Sequence, residues 1–267
     1  MTQDELLGGI VIPIDKPRQW TSFQTVNKVK AIIRNLYGLK KFKIGHAGTL
    51  DPLATGLLLV CVGKATKRIN ELQDGDKIYT GTMVLGATTP CYDLERAIDH
   101  YYPFAHITPA LFQSVLPQFT GTVEQVPPMF SAVKINGQRA YQYARQTDTD
   151  EEPPMPTPKP VQIYSFDITG FRPGNPDAAP EPVAPQPTSP DALHLYDHPQ
   201  GTVPPHLPQL DFRIQCGKGT YIRSIARDLG MALDSGAFLS ALRREQVGDY
   251  TLADAVGIDD VEKLLKS

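Results

Sequence analysis

The sequence predicts an α+β fold, because strand-like and helix-like patterns intermix along its 267 residues without a regular βαβ alternation. Apolar residues at helical spacing, bounded by capping and stop signals, predict the helices. The length fits one large domain or two small ones. Runs typical of strands occur at residues 9–14, 57–62, 78–85, 160–171 and 210–216.

The helices are predicted from their start and stop signals. Thr21 followed by Gln24 matches a capping box, and apolar residues at helical spacing then run to Gly38, a residue type that often ends helices. Thr108 before Pro109 opens a second helix. Further helices are predicted at 64–72, 138–145, 220–233 and 259–266, and an extended segment with an Asn-Gly turn at 130–137.

The composition, with 41% hydrophobic and 21% charged residues, is that of an ordinary globular protein. The longest apolar run, residues 57–62, is too short to span a bilayer, and the N-terminus does not resemble a signal peptide. Cys61, Cys91 and Cys216 are widely spaced and match neither a disulfide framework nor a CxxC metal site. We therefore expect a cytoplasmic protein with reduced cysteines.

A formal net charge of −3 hides an uneven distribution. Between residues 16 and 70 the sequence has eleven Lys and Arg and a single carboxylate, Asp51. A basic surface suits a polyanion, because neutralising phosphates releases counterions. The alternative is a solvated, lysine-rich helix face, and the charge pattern alone does not decide between the two.

The segment 174–208 differs from the rest of the chain. It contains ten of the 25 prolines and four carboxylates, but no Lys or Arg. It has few large apolar residues with which to offset its ordering entropy. We interpret it as a flexible insertion between two strands that pair in the core. The alternative is a proline-rich ligand for a partner protein.

The most informative stretch is residues 45–56, Gly-His-Ala-Gly-Thr-Leu-Asp-Pro-Leu-Ala-Thr-Gly. Its three glycines and its proline predict a structured loop that leads into the strand at 57–62. Asp51 in this loop has two interpretations. It caps a turn or forms an internal salt bridge, or it is a nucleophile that positive neighbours keep ionised.

This loop and several other motifs resemble, in order, those of the TruB family of pseudouridine synthases. The resemblance spans about residues 9–250. It rests on the start at 14–17, the signature loop at 45–56, the tyrosine motif at 76–79, the thumb loop at 128–145, the arginine motif at 218–230 and the segment 236–244.

The resemblance implies the pseudouridine synthase fold, with a mixed, mostly antiparallel sheet flanked by helices and loops around a central RNA-binding cleft. We expect one catalytic domain over residues 1–267, with a thumb-like loop at 127–146. Because the sequence ends at Ser267, we expect no C-terminal RNA-binding domain of the PUA type.

The implied reaction converts uridine 55 in the T loop of tRNA to pseudouridine, on a flipped-out base and without a metal or other cofactor. The expected partner is the T-arm stem-loop of tRNA, and we expect a monomer with no obligate protein partner and no membrane association. Whether Asp51 attacks the sugar or the base stays open. Alternatives are a guide-RNA-dependent synthase and a non-catalytic RNA-folding protein.

The resemblance also implies roles for particular residues. Asp51 is the expected nucleophile, Arg223 the cation that holds it ionised, and Tyr79 the ring beneath the flipped base. Without the resemblance, Tyr79 would be a core residue and Arg223 a partner for any phosphate or carboxylate. The expected substrate-binding residues are His46, Lys16, Lys64, Lys67, Lys134, Tyr221 and Leu242.

Overall fold

The structure, a computed structural model, describes residues 1–144, 154–178 and 202–266. None of the helices within these residues combines the length and the apolarity needed to cross a bilayer. The helices are α1 (Gln3–Gly9), α2 (Ser22–Tyr37), α3 (Ile69–Asp74), α4 (Pro109–Val115), α5 (Ala140–Tyr143), α6 (Ile222–Ala232) and α7 (Val261–Lys266).

The strands pair mostly antiparallel, and this confirms the predicted α+β class. The strands are β1 (Ile10–Lys16), β2 (Ile44–Ala47), β3 (Thr55–Val62), β4 (Lys77–Leu85), β5 (Ala87–Thr88), β6 (His100–Tyr101), β7 (Gly121–Gln125), β8 (Lys134–Ile135), β9 (Gln138–Arg139), β10 (Lys159–Arg172), β11 (Gln209–Cys216), β12 (Ala237–Val247), β13 (Tyr250–Thr251) and β14 (Val256–Gly257).

The chain forms two compact units. Unit 1 contains Met1–Thr80 and Leu242–Ser267, and unit 2 contains Gly81–Ala241. The long strands β4 and β12 each have residues in both units. The single catalytic domain expected over residues 1–267 stays a prediction.

Unit 1 is built on β3, whose apolar run from Leu57 to Val62 is fully buried, as predicted. β1 pairs antiparallel along one edge of β3, so that Lys16 lies opposite Gly56. β2 pairs antiparallel along the other edge, and β12 joins that edge in parallel. A strand enclosed in this way needs no polar alternation, which explains its continuous apolar sequence.

Helix α2 begins at the predicted capping box. The N–H of Gln24 donates to Thr21 Oγ1 at 3.0 Å, and the N–H of Thr21 donates to Gln24 Oε1 at 2.8 Å. The helix ends at Gly38, which adopts the left-handed conformation with φ of 67°. Both predicted ends of this helix are confirmed, because its caps are local and do not depend on tertiary packing.

Unit 2 contains the two predicted strands at 160–171 and 210–216, which pair antiparallel as β10 and β11. β7 pairs antiparallel with the other edge of β10. Phe166 on β10 packs edge-on against Phe119 and Phe212, with ring centroids 6.1 and 6.2 Å apart. Edge-to-face pairs of this kind add stability beyond the burial of their surface.

The described ends of the predicted insertion 174–208 pack within unit 2. The N–H of Asn175 donates to the carbonyl of His206 at 2.8 Å, and the N–H of Leu85 donates to the carbonyl of Pro208 at 2.9 Å. Leu207 is only 2% exposed. These residues therefore belong to the packed structure, although we expected them in a flexible linker. Residues 179–201 of the predicted insertion lie outside the described residues.

Some predicted elements differ from the structure. The helix expected at 64–72 is a 3-10 helix over Gly63–Arg68 followed by α3. The extended segment expected at 130–135 narrows to β8, and the helix expected at 138–145 is shorter because β9 pairs with β8. Asn136 and Gly137 have φ of 51° and 85°, as a two-residue type I′ hairpin requires. Residue 145 lies outside the described residues.

We predict that Leu207→Ala destabilises the protein by roughly 2–5 kcal/mol, because it empties a buried site that the sequence pattern assigned to a linker. The matched control is Met231→Ala, since Met231 is 63% exposed in unit 2 and its change should cost less than about 0.5 kcal/mol. Urea unfolding of both variants measures the difference. Equal stabilities would show that Leu207 does not contribute to the core.

Candidate active site

The loop between β2 and β3 carries Asp51. The Asp51 carbonyl accepts the N–H of Ala54 at 3.1 Å, which closes a tight turn. Just after the loop, Gly56 on β3 has φ of 100°, and a side-chain carbon there would lie 2.4 Å from the carbonyl oxygen of Arg244. Glycine is therefore required where β12 passes against the backbone. Residues 45–47 of the predicted loop belong to β2 instead.

Lys16 fixes the residue that follows Asp51. Its ammonium donates to the carbonyls of Pro17 at 2.9 Å, Trp20 at 2.7 Å and Pro52 at 3.2 Å. Lys16 is fully buried, and burial lowers its pKa to about 8, an effect that the charge of Asp51 partly offsets. In this position Lys16 supports the Asp51 loop. Its expected contact with the substrate stays a prediction.

Ser22 fixes the residue that precedes Asp51. Its hydroxyl accepts the N–H of Leu50 at 2.9 Å and donates to the carbonyl of Leu50 at 3.1 Å. Ser22 and Leu50 are both buried, so water does not compete for these bonds. The first turn of α2 and the last residue of β1 together hold the backbone on both sides of Asp51. Sequence reasoning did not identify Ser22.

Arg244 joins the two ends of the loop. Its Nη2 donates to the carbonyl of Gly48 at 3.0 Å and its Nη1 to that of Thr49 at 3.4 Å. Its Nε donates to the carbonyl of Leu57 at 2.8 Å. Arg244 is only 1% exposed. A planar guanidinium can bond in several directions at once, and here it connects the entry of the loop to its exit.

His46 lies on β2 opposite Val60. Burial lowers the pKa of its imidazole, and the nearby charge of Arg244 lowers it further, so the ring is neutral at neutral pH. Its Nδ1 is buried and, within the described residues, has no hydrogen-bond partner. A buried polar atom of this kind is costly unless a ligand or water completes it. The expected contact of His46 with the substrate stays a prediction.

Tyr79 and Leu242 also lie in unit 1. Tyr79 on β4 is 9% exposed, and Leu242 on β12 is partly buried. Next to Tyr79 on β4, the hydroxyl of Thr80 donates to Oε1 of Glu245 on β12 at 2.7 Å. This hydrogen bond connects the two strands. Both Tyr79 and Leu242 thus stand on rigid strands, which suits residues that must present a fixed surface.

Arg223 lies in the first turn of α6, in unit 2. Its Nη1 donates to the carbonyl of Cys91 at 3.1 Å and its Nη2 to that of Phe130 at 2.9 Å. Its Nε lies 3.7 Å from Oδ2 of Asp93. Arg223 and Asp93 are 6% and 5% exposed, so this pair is screened little by solvent. Sequence reasoning missed Asp93, and the pairing of Arg223 with Asp51 stays a prediction.

The other expected substrate-binding residues lie at several places. Lys134 is exposed on β8, and Tyr221 immediately precedes α6. Lys64 and Lys67 are exposed on the 3-10 helix that follows β3. Because β3 extends for eight residues, the exit of the Asp51 loop at Thr55 is about 23 Å along the strand from Val62, which leads to these lysines. The expected contact of Lys64 and Lys67 with the substrate stays a prediction.

Solved structures define the fold class. The chain is similar to a chain in the crystal structure of a Cbf5–Nop10–Gar1 complex, with a TM-score of 0.61 and 24% sequence identity over 97% of this chain and 54% of that chain. A chain in a structure of an H/ACA RNP bound to a substrate RNA gives a TM-score of 0.57 at 21% identity. This chain spans about half the length of these solved chains. The likeness identifies the pseudouridine synthase fold.

Sequence comparisons identify the family. Residues 34–179 match the N-terminal domain model of TruB family pseudouridylate synthases, and residues 223–267 match the C-terminal domain model of tRNA pseudouridylate synthase B. The chain is 45% identical over 267 residues to tRNA pseudouridine synthase B of Flavobacterium johnsoniae, covering 100% of both. Identity to the Phocaeicola vulgatus protein of that name is 42%, covering 96% and 93%. The chain belongs to the TruB family of pseudouridine synthases.

We predict that Arg244→Lys destabilises the protein by roughly 1–3 kcal/mol, because an ammonium cannot reach both ends of the loop and leaves buried carbonyls unsatisfied. The matched control is the neighbouring Arg243→Lys. Arg243 pairs with Asp15 at 2.8 Å but is 39% exposed, and its change should cost less than about 1 kcal/mol. Denaturant unfolding compares the two. A smaller effect at Arg244 than at Arg243 would contradict its role in the loop.

Proposed function

We propose that the chain is a tRNA pseudouridine synthase that isomerises uridine 55 in the T loop, with Asp51 as its nucleophile. One observation carries the proposal: the chain is similar over its full length to proteins named tRNA pseudouridine synthase B. The geometry of the Asp51 loop supports it, because the backbone is fixed on both sides of the one carboxylate between residues 16 and 70.

The proposed reaction conserves all atoms of the uridine. The bond between N1 and C1′ breaks, the base rotates, and a new bond forms between C5 and C1′. C5 then loses its proton, and N1 ends with one. A carboxylate nucleophile can assist by attacking the sugar or the base, and in either case it must be ionised and correctly oriented. Such an enzyme has to take the base out of the RNA stack to reach these atoms.

The rigid placement of Asp51 supports its proposed role. Lys16 holds Pro52, Ser22 holds Leu50, and Arg244 ties the two ends of the loop together. A nucleophile held in this way loses little additional freedom when the substrate binds. The charge of Asp51 also acts on the buried ammonium of Lys16, so the loop places the two opposite charges within electrostatic reach of each other.

The other site residues have proposed roles that suit their positions. Tyr79 provides a ring for the flipped base to stack on, and its hydroxyl assists removal of the C5 proton. Leu242 forms an apolar wall of the pocket, and the partly buried ring of His46 meets the unstacked RNA loop. Arg223, oriented by two carbonyls and by Asp93, provides the cation that stabilises Asp51.

We further propose that the T-arm stem-loop is the recognised part of the tRNA, and that the protein acts in the cytoplasm as a monomer with one catalytic domain. The exposed lysines between residues 16 and 70 supply charge for the RNA backbone. Lys134, on the exposed hairpin of β8 and β9, supplies a further contact from the thumb-like loop. Residues 145 and 146 of this loop lie outside the described residues.

A second candidate is a guide-RNA-dependent synthase. The observation that favours it is the structural similarity to chains from Cbf5 and H/ACA RNP complexes. The names of the full-length relatives favour the tRNA enzyme. Incubating the purified chain with unmodified tRNA and no other component distinguishes the two. Pseudouridine at position 55 supports the proposal, and a strict requirement for a second RNA overturns it.

We predict that Asp51→Asn abolishes pseudouridine formation while tRNA binding persists, because the amide keeps the shape of the side chain but lacks a nucleophilic carboxylate. The control is Asp15→Asn, which removes a 38% exposed carboxylate paired with Arg243 in the same unit and should retain activity. Product is measured in single turnovers with tRNA transcripts, and binding by filter retention. Residual product from Asp51→Asn above background would refute the assignment.

We predict that changing Lys64 and Lys67 to Ala makes the salt dependence of T-arm stem-loop binding shallower by about 1.4 log units per log unit of salt, the release expected for two single-stranded phosphate contacts. The control double variant, Lys263→Ala with Lys266→Ala, removes the same charge from α7. Dissociation constants measured between low and moderate salt give both slopes. Equal slopes would show that Lys64 and Lys67 do not contact RNA.

A further inference from the structure

The side chain of Gln125, the last residue of β7, forms two hydrogen bonds with the main chain of Tyr221, the residue just before α6. Its Oε1 accepts the N–H of Tyr221 at 2.8 Å, and its Nε2 donates to the carbonyl of the same residue at 3.2 Å. One side-chain amide thus pairs with both main-chain groups of Tyr221. Gln125 is only 2% exposed.

A buried amide at this position needs a reason beyond packing. A leucine or a methionine would fill the space without the cost of burying a polar group. Tyr221 is the N-cap residue of α6 and has no side-chain capping bond of its own. The amide of Gln125 therefore fixes the main chain where the helix begins, a task that an apolar side chain cannot perform.

Helix α6 in turn binds the segment that follows Gln125. Ser224 Oγ donates to the carbonyl of Val126 at 2.8 Å, and Arg227 Nη2 donates to the same oxygen at 3.1 Å. Arg223 Nη2 donates to the carbonyl of Phe130 at 2.9 Å. The first turns of the helix and residues 125–130 are thus connected at several points, and Gln125 lies at one end of the series.

We propose that Gln125 is a positioning residue for Arg223. It does not touch the substrate. By fixing Tyr221, two residues before Arg223, it sets the position at which the guanidinium meets the carbonyls of Cys91 and Phe130 and the carboxylate of Asp93. This inference rests on the proposed function, in which Arg223 stabilises the nucleophile. Misplacement of such a group by about 1 Å is enough to slow a reaction by roughly 100-fold.

The test compares Gln125→Glu with a matched control. Glutamate keeps the shape and still accepts the N–H of Tyr221, but its carboxylate cannot donate to the Tyr221 carbonyl and is repelled by it. The control is Gln162→Glu on the neighbouring strand β10, whose side chain accepts the hydroxyl of Thr122 at 3.0 Å. It carries the same change of charge without altering the bonds to Tyr221. Melting temperatures establish that both variants are folded.

The first measurement does not depend on activity. The Nε–H signal of Arg223 in the NMR spectrum is assigned by its loss in Arg223→Lys. We expect this signal to move or broaden in Gln125→Glu and to stay in place in Gln162→Glu, because only the former releases the start of α6. An unchanged signal in folded Gln125→Glu would overturn the proposal, whatever the substrate of the enzyme.

The second measurement is the single-turnover rate of pseudouridine formation. We expect Gln125→Glu to lower it by roughly 10- to 100-fold, with RNA affinity changed by less than about threefold. In the Arg223→Lys background, Gln125→Glu should lower the rate little further, because both changes act through the guanidinium of Arg223. Equal fold-losses in both backgrounds would refute action through Arg223. Inactive parent protein would instead refute the proposed function, and the NMR result would still decide the role of Gln125.

Discussion

Buried cations that bond to main-chain carbonyls hold the Asp51 loop in place. Lys16 and Arg244 each donate to three carbonyl oxygens, and neither is more than 1% exposed. A carbonyl oxygen orients a cation without cancelling its charge, so positive charge remains inside unit 1. The depressed pKa of Lys16 reflects this burial, and the charge of Asp51 acts against the shift. The loop and the carboxylate that it carries therefore stabilise each other.

Unit 2 holds Arg223 by the same physical means. Two carbonyls fix the direction of the guanidinium, while Asp93 at 3.7 Å supplies the opposite charge. Orientation and charge compensation thus come from different partners. Carbonyls move only when the main chain moves, so the position of Arg223 depends on how the segment around Phe130 and the start of α6 are fixed. The amide of Gln125 provides that connection.

The parts of the fold that could be predicted from sequence are those with local causes. The capping box of α2, the apolar run of β3 and the pairing of β10 with β11 were all recognised. The eleven-residue strand β12 was not predicted, because it contains several charged residues, one of which, Arg244, is nevertheless buried. Among the proposed site residues, Asp51 and Arg223 were predicted through motifs. Asp93, Ser22 and Gln125 were missed because their partners are 28 to 130 residues away, and no local pattern encodes such contacts.

The basic segment between residues 16 and 70 contains two populations of cations with different physical roles. Lys16 is buried and bonds to main-chain carbonyls, whereas Lys64 and Lys67 are exposed. Arg68 already forms an ion pair at 2.8 Å with Glu71, a residue just beyond the end of this segment. The charge available to a polyanion is therefore smaller than the sequence count. Screening limits each exposed charge to about 8 Å at physiological salt. The exit of the Asp51 loop at Thr55 lies about 23 Å along β3 from the end that leads to Lys64 and Lys67, so solvent screens any direct effect of these two charges there.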